Sequence, residues 1–369
     1  MNTHQKSDRK FPYFSLWIGL SLGLSSTAFG HGCIAVSGGF CPLNLSNGLQ
    51  EEVGYLQPGD WQAFGHYRWF RSSRHFIGDN EFRLPNQLGA EAINEAHYFE
   101  LNLRRGITKR LSLALIVPFV HYSRSTVHEH DFTGRYTTSA SGLGDMRLSA
   151  FYWLLDPQKK PKGNLALGIG PKFPTGAFDA KDTFHTAAGL VRKPVDQSIQ
   201  PGDGGWGFTL ELDGFYHLTD RIDTFFQGYY LFNPRNTNGV PTLIGYRNPF
   251  ESVNSVSDQY VGQVGASYLI APQWGLSLRL GARIEGVPVE DVIGASDGFR
   301  RPGYAVFVEP GISLSKGNWD MNLEVPIAVY RNRLKSVADR KLSALTGQDI
   351  HGDAAFADYL ITASLSYNF

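Results

Sequence analysis

The strongest constraint in this sequence is an alternation of apolar and polar residues that recurs from Gly59 to the C-terminus. In the stretch LSLRLGARIE, every second residue from Leu276 to Ile284 is apolar, and those between are polar or glycine. A period of two places the two sets on opposite faces of a β-strand. The chain is therefore predicted to be all-β.

Twelve segments carry this alternation. The clearest are 208–218, 276–285, 304–314, 319–329 and 357–369. Weaker alternation predicts seven further strands, at 61–70, 97–105, 111–121, 145–155, 164–173, 223–232 and 259–270. No amphipathic helix is predicted after Gly59.

Four prolines fall inside predicted strands, where each removes a ladder hydrogen bond. Pro118 and Pro171 are expected near the outer ends of their strands, where pairing stops. Pro310 and Pro326 are expected to mark β-bulges.

The connectors between these strands alternate in length. GITKR, LTDR, APQ and SKGN are tight turns and DPQKKPKG is slightly longer, whereas the other connectors are long, at 71–96, 122–144, 174–205, 233–258, 286–302 and 331–354. Short periplasmic turns and long extracellular loops characterise outer-membrane barrels. The sequence therefore predicts a transmembrane antiparallel up-and-down β-barrel of about 12 strands.

Aromatic residues lie where this topology places the two membrane interfaces. Trp274 and Trp319 follow short turns, at the inner rim. Six more residues are predicted on the lipid-facing side beside long loops: Phe99, Phe119, Phe173, Phe208, Tyr260 and Tyr304. Such girdles are typical of both interfaces of a bilayer.

The N-terminus has the layout of a secretory signal. A basic region with Lys6, Arg9 and Lys10 precedes an apolar stretch, and SSTAFG offers cleavage after Ala28 or Gly30. We expect residues 1–30 to be removed, 31–60 to form a periplasmic or lumen-plugging segment, and 61–369 to form the barrel.

The two cysteines, Cys33 and Cys41, follow the signal. One short disulfide is expected in an oxidising periplasm. A metal pair is the weaker interpretation, because two thiolates do not complete a zinc site.

The last strand must pair with the first, because an unpaired edge in lipid leaves backbone groups unsatisfied. The C-terminal stretch also resembles the signature by which bacterial outer-membrane barrels are recognised for insertion, carried here by Leu365, Tyr367 and Phe369. That resemblance implies the barrel-assembly machinery as a partner.

The alternation also predicts which charged and histidine side chains face the lumen. The candidates are Arg68, Glu100, Arg104, Asp145, Arg147, Lys172, Glu211, Asp213, His217, Arg279, Arg283, Glu309, Asp320, Glu324 and Asp358. Interior charges must be paired or hydrated. Either they form a constriction that selects solutes, or they form a salt-bridge network that stiffens the interior. We expect Arg279 and Arg283 to pair with Glu309, Glu324 and Asp320.

Barrel width bears on these alternatives. About 8 strands leave an interior filled by side chains, whereas about 16–18 leave an open channel. Twelve strands are intermediate and favour a narrow passage.

Two histidine motifs suggest other chemistry. His128 and His130, flanked by Glu129 and Asp131, would face one way in an extended loop. Two ligands are too few for a metal site, so a solvated loop is preferred and no metal is predicted.

His121 and Ser123 lie two apart on one strand near the outer rim, as in outer-membrane phospholipases. A serine nucleophile needs a base and a group that orients the base. No such group is evident in the sequence, so an interfacial pair is preferred and an enzyme is not predicted.

Four short motifs occur in order along the chain: SGLGDMRLSAFYWLL (141–155), GIGPKFPTG (168–176), QPGDGGWG (200–207) and LEVPIAVYRN (323–332). Together they resemble the outer-membrane transporter-like barrels named for the MetA pathway of phenol degradation, over residues 97–369. The resemblance implies a barrel and suggests uptake of hydrophobic or aromatic compounds.

A net charge of zero argues against a general nucleic-acid-binding protein. We expect a porin-like barrel in the bacterial outer membrane, surrounded by lipid and lipopolysaccharide. It would give passive passage to small, hydrophobic or aromatic solutes without a cofactor. The alternatives are an enzyme of phospholipase type and a structural or adhesive barrel that acts through its loops.

Overall fold

The computed structural model describes residues 55–156, 159–160, 162–243, 245 and 247–369. This part of the chain forms a closed antiparallel barrel of twelve strands, which confirms the predicted fold class. The strands, numbered β1 to β12, are Trp61–Ile77, Ile93–Gly106, Leu111–Thr126, the segments Tyr136–Leu143 and Arg147–Trp153 of β4, Gly163–Lys172, Gly207–Thr219, Ile222–Phe232, Gln259–Ala271, Leu276–Val287, Gly303–Lys316, the segments Trp319–Glu324 and Ile327–Arg333 of β11, and Ala354–Asn368.

The barrel closes by pairing β12 with β1. The ladder runs from Gln62 opposite Asn368 to Phe76 opposite Ala354. Beyond it, the backbone groups of Trp61 and Phe369 exchange two hydrogen bonds of 2.8 Å. No barrel edge is left for lipid to meet, as the hydrocarbon region requires.

The strands extend further toward the long loops than the alternation predicts. β1 continues to Ile77, β3 continues to Thr126, and Tyr136–Leu143 lies within the predicted loop 122–144. The outward side chains there include polar residues such as Ser139 and Ser141. The backbone ladder therefore continues where outward residues no longer need to be apolar.

The prolines coincide with interruptions in the wall. Pro118 lies inside β3 rather than near its end, but it faces the break between the two segments of β4. Pro171 is the penultimate residue of β5, as expected. Pro326 separates the two segments of β11, and Pro310 accepts a hydrogen bond from Val325 N at that break. A register shift lies nearby, between Val306 and Phe307 of β10.

The long connectors carry secondary structure of their own. They contain the hairpin Lys181–Thr186 with Gly189–Pro194, the pair Thr237–Pro241 with Val253–Ser255, and the helices Leu84–Gln87 and Val337–Thr346. The ten-residue helix Val337–Thr346 corrects the expectation that no helix follows Gly59. It begins with a reciprocal cap between Ser336 and Asp339 and ends at Gly347, whose φ is 70°.

None of the described helices is long and apolar enough to cross a membrane.

Candidate functional site

The two faces of the wall differ in exposure as the period of two predicts. On β9, Leu278 and Leu280 are 49% and 60% exposed on the outer surface, whereas Arg283 is 7% exposed toward the lumen. The residues predicted for the girdles, Trp274, Trp319, Phe99, Phe119, Phe173, Phe208, Tyr260 and Tyr304, are all at least partly exposed. The outer side of β9 is therefore apolar, and its charges lie inside.

The structure buries most of the predicted lumen candidates. The buried ones are Arg68, Glu100, Arg104, Arg147, Lys172, Glu211, Asp213, Arg283, Glu309 and Asp320; Asp145, His217, Arg279 and Glu324 are partly buried. Their role in solute passage stays a prediction.

Asp358 is the exception, because its side chain is 51% exposed. The register between β1 and β12 shifts between Phe70 and Ser72, beside this position. There the Asp358 carboxylate accepts hydrogen bonds of 2.7 Å from Arg74 and from Arg331. Strict alternation does not hold across such a bulge, and the prediction for Asp358 fails for that reason.

One group of lumen ion pairs joins β1, β9 and β10. Arg283 lies 2.8 Å from Glu285 and 3.9 Å from Glu309. Arg68 of β1 reaches across to Glu285 at 2.5 Å. The sequence analysis missed Glu285, although it shares the parity of Arg283.

A neighbouring pair follows the prediction for β9 and β11. Arg279 lies 2.9 Å from Glu324. Asp320 instead accepts a hydrogen bond from Ser315, so its predicted pairing with an arginine is wrong.

A second ionic group in the lumen joins β2, β4 and β6. Arg147 contacts Glu100 at 3.1 Å and Glu211 at 4.0 Å. Tyr98 donates a hydrogen bond of 2.6 Å to Glu100, and Ser149 donates one of 2.9 Å to Glu211. These buried charges are compensated inside the wall, as burial in a confined space requires.

Three of the four sequence motifs meet at one point of the lumen wall. Lys172 of GIGPKFPTG lies 2.5 Å from Asp203 of QPGDGGWG and 3.6 Å from Asp145 of SGLGDMRLSAFYWLL. Asp145 also accepts hydrogen bonds from Gly176 N and Asp203 N, at 3.0 and 3.1 Å. We call Asp145, Lys172, Gly176, Gly202 and Asp203 the loop latch, because they hold both ends of the connector 173–206.

The loop latch leaves no room for a side chain at Gly202. A Cβ atom there would lie 2.6 Å from the Asp145 carboxylate and 2.6 Å from the Gly176 carbonyl oxygen. Gly176 is equally tight against the Gly202 backbone, at 2.8 Å. The glycines are therefore required by the close approach of two backbone segments.

A cavity of about 140 Å³ lies in the lumen beside the loop latch. Its lining includes the apolar or aromatic residues Val120, Tyr122, Ile199 and Leu231. It also includes the charged residues Arg68, Arg147 and Lys172. An apolar cavity of about 150 Å³ holds one benzene molecule, so this space has the size of a single aromatic ring.

The lumen is filled on both sides of this cavity. On the long-loop side, Phe184, Val195 and Ile199 of the connector pack in one apolar cluster with inward residues such as Phe70 and Phe356. Deeper among the loops, Arg124 pairs with Glu129 at 2.8 Å, and Arg301 pairs with Asp196 at 2.8 Å. Burial alone would raise the pKa of the Asp196 carboxyl. Arg124 and Arg301 outweigh this effect and hold the pKa of Asp196 well below its usual value.

On the short-turn side, Tyr55 enters the barrel mouth. Its ring centroid lies 4.8 Å from that of Trp153 and 6.1 Å from that of Phe215. Its hydroxyl accepts a hydrogen bond of 3.2 Å from Asn164. Tyr55, near the end of the predicted 31–60 segment, thus sits in the lumen, whereas the predicted signal peptide, Cys33 and Cys41 lie outside the described residues.

The His128–His130 motif is not the solvated extended loop that we expected. It forms a buried 3₁₀ turn. Burial, with help from Arg124, lowers the pKa of His128 to about 2. His130 Nδ1 accepts a hydrogen bond from His185 N at 3.0 Å. Among the described residues, no group of three side chains is placed to hold a metal ion.

The predicted His121–Ser123 pair is also rearranged. His121 Nδ1 lies 2.6 Å from the hydroxyl of Ser141 on β4, its direct partner in the ladder. No hydrogen bond joins His121 to Ser123 within the described chain. The pair that motivated a phospholipase is therefore not formed.

The fold is similar to that of solved outer-membrane proteins. An outer membrane channel from Pseudomonas putida F1 matches with a TM-score of 0.56 and 14% identity, over 85% of this chain and 97% of that chain. The Pseudomonas putida toluene transporter TodX gives a TM-score of 0.42 and 12% identity, over 93% and 96% of the two chains. A Pseudomonas aeruginosa FadL homologue gives a TM-score of 0.40 and 8% identity, over 84% of this chain and 90% of that chain.

No curated protein sequence is significantly similar to the chain. A protein-family model, in contrast, matches residues 82–286, which is more than half of the chain. The range includes the three motifs of the loop latch and ends before LEVPIAVYRN. The chain belongs to the family described as "Putative MetA-pathway of phenol degradation".

Proposed function

We propose that this protein is a bacterial outer-membrane channel that gives passive passage to small, hydrophobic or aromatic solutes. The observation that carries the proposal is the ring-sized cavity in the lumen, whose lining combines apolar residues with charged ones. Family membership supports an aromatic solute. The loop cluster outside the cavity and Tyr55 at the other mouth would have to move for a solute to pass.

The remaining expectations follow from this location. The apolar outer surface fits outer-membrane lipid and lipopolysaccharide. Leu365, Tyr367 and Phe369 would direct insertion by the barrel-assembly machinery, and the segment before Tyr55 would act as a plug. We infer no catalytic activity and no cofactor, because the lumen charges are engaged with one another rather than arranged around a reacting atom.

The proposal is tested with purified protein in planar bilayers, by recording single-channel current with and without phenol. Phenol should interrupt the current of the wild type, because it occupies the cavity. Ala96→Phe fills the cavity from the lumen face of β2 and should lower the effect of phenol at least about fivefold. Ala266→Phe is the matched control, because Ala266 is opposite the exposed Leu280 on the outer surface.

A channel that shows no conductance in any state, or identical phenol responses in both variants, contradicts the proposal. A barrel acting only through its loops would show neither current nor a phenol response.

A further inference from the structure

Four buried cations line the cavity. Arg68, Arg147, Lys172 and Arg301 all line it, and each is at most 6% exposed. They come from β1, β4, β5 and the connector before β10, so they surround the space from different sides. Because they are buried, solvent screens their charges weakly.

The acids that pair with the three arginines are set back from the cavity. Glu285 binds Arg68, Glu100 binds Arg147 and Asp196 binds Arg301. None of these acids is among the residues that line the space. The cations therefore stand between the cavity and their counter-ions.

The acids that do line the cavity are turned to other partners. Asp145 and Asp203 are held by Lys172 and by backbone N–H groups, those of Gly176 and Gly205. Glu95 is 45% exposed and accepts a hydrogen bond of 3.0 Å from Trp69 Nε1. Four cations therefore face the cavity against three acids that are held by other partners, and low-dielectric walls concentrate the field of such groups.

We propose that the cavity is a binding site for small aromatic anions, meaning one planar ring that carries a carboxylate. The inference rests on the proposed channel function and specifies its solute. The ring packs against Val120, Tyr122 and Leu231 of the lining. The carboxylate faces the arginines and Lys172, which replace the water that it loses on entry.

The test compares three planar ligands of nearly the same shape, by calorimetric titration of the detergent-solubilised full chain at pH 7.5. Benzoate is negative, benzamide is neutral and benzamidinium is positive. We expect benzoate to bind at least about tenfold more tightly than benzamide, and benzamidinium to bind least, because only the charge differs. Added salt should weaken benzoate binding and leave benzamide unchanged.

A double variant tests the effect of one lining cation without changing the net charge of the protein. Arg147→Gln with Glu100→Gln removes a cation that lines the cavity together with the acid behind it. Benzoate binding should fall at least about fivefold, with benzamide binding unchanged. Arg279→Gln with Glu324→Gln is the matched control, because this lumen pair does not line the cavity.

Heat-modifiable migration on gels first establishes that each variant is folded. Arg147→Lys, which keeps the charge, should retain most of the preference for benzoate. Equal binding of benzoate and benzamide, equal losses in the two double variants, or no binding of any of the three ligands would overturn the inference. The channel function is judged separately, by the bilayer current and its response to phenol.

Discussion

The wall of β9 and the loop latch hold their positions in different ways. In β9, the outward leucines are exposed on the outer surface and the inward arginines pair with acids on other strands, so each face accepts one class of side chain. In the loop latch, two backbone segments touch and one ammonium group lies between two carboxylates. The wall is thus specified by polarity, whereas the loop latch is specified by close approach, and the two should respond differently to substitution.

The largest effect on folding free energy is expected on the outer face of β9, where polarity alone determines which side chains are tolerated. Leu280→Arg places a charge on the lipid-facing side near the middle of β9 and should cost about 2–4 kcal/mol of folding free energy. Gln227→Arg adds the same charge on the lumen face of β7, opposite Asp213, and should cost far less. The measurement is the urea dependence of folding into lipid vesicles. Equal losses for the two variants would mean that the assignment of faces is wrong.

Close approach is tested at Gly202. Gly202→Val forces atoms into the Gly176 carbonyl and should cost about 1–3 kcal/mol by overpacking, concentrated in the connector 173–206. The expected result is faster proteolysis of this connector and a higher channel current, with heat-modifiable migration unchanged. Gly65→Val is the control, because a Cβ at Gly65 meets only one atom, at 3.9 Å. An unchanged current and cleavage rate would show that the latch does not hold the connector.

The contrast explains which features the sequence could predict. Lipid contact requires an apolar residue at every second position, so all twelve strands could be located from the alternation. The outer ends of β1 and β3 could not be located in this way, because outward residues beyond the membrane are free to be polar. The helix Val337–Thr346 left one usable signal, Ser336 followed three residues later by Asp339.

The candidate site was predictable only in part, for the same reason. Arg283 and Glu309 follow from parity, but no rule of spacing places Asp203 beside Lys172, because a glycine-rich connector has no period. The alternation also placed Asp145 and Lys172 in the lumen, whereas Asp203 was noted only as part of a motif identified by resemblance. The meeting of the three motifs at the loop latch supplies the physical reason for their glycines and charges.

A smaller effect is expected within the lumen ion pairs. In double-mutant cycles, Arg283 and Glu285 should couple by about 1–2 kcal/mol, because they share a short contact in a buried space. Arg283 and Glu309, 3.9 Å apart, should couple less. Folding free energies of the single and double alanine variants provide both values. A stronger coupling for Glu309 would favour the pairing expected from the sequence over the one in the structure.

The smallest effect is local and depends on pH. Glu251 lies in the turn Pro249–Glu251, which packs against the helix Val337–Thr346. Burial, and next the nearby Asp339, raise the pKa of Glu251 to about 8, whereas Arg333 and Arg301 act in the opposite direction. An acid whose pKa is raised by folding stabilises the folded loops while it is protonated. This contribution is complete below the unfolded pKa of about 4.5 and is lost as the pH rises through about 8.

Hydrogen exchange of the helix amides at pH 5 and pH 9, corrected for the intrinsic dependence on pH, measures this loss directly. Protection should fall at pH 9 in the wild type and stay nearly constant in Glu251→Gln, whose neutral amide mimics the protonated acid. Glu290→Gln is the control. Glu290 pairs with Arg340 of the helix Val337–Thr346, but its side chain is 63% exposed. If Glu251→Gln keeps the full dependence on pH, another group near this helix titrates, and the contact between the turn and the helix is not what responds.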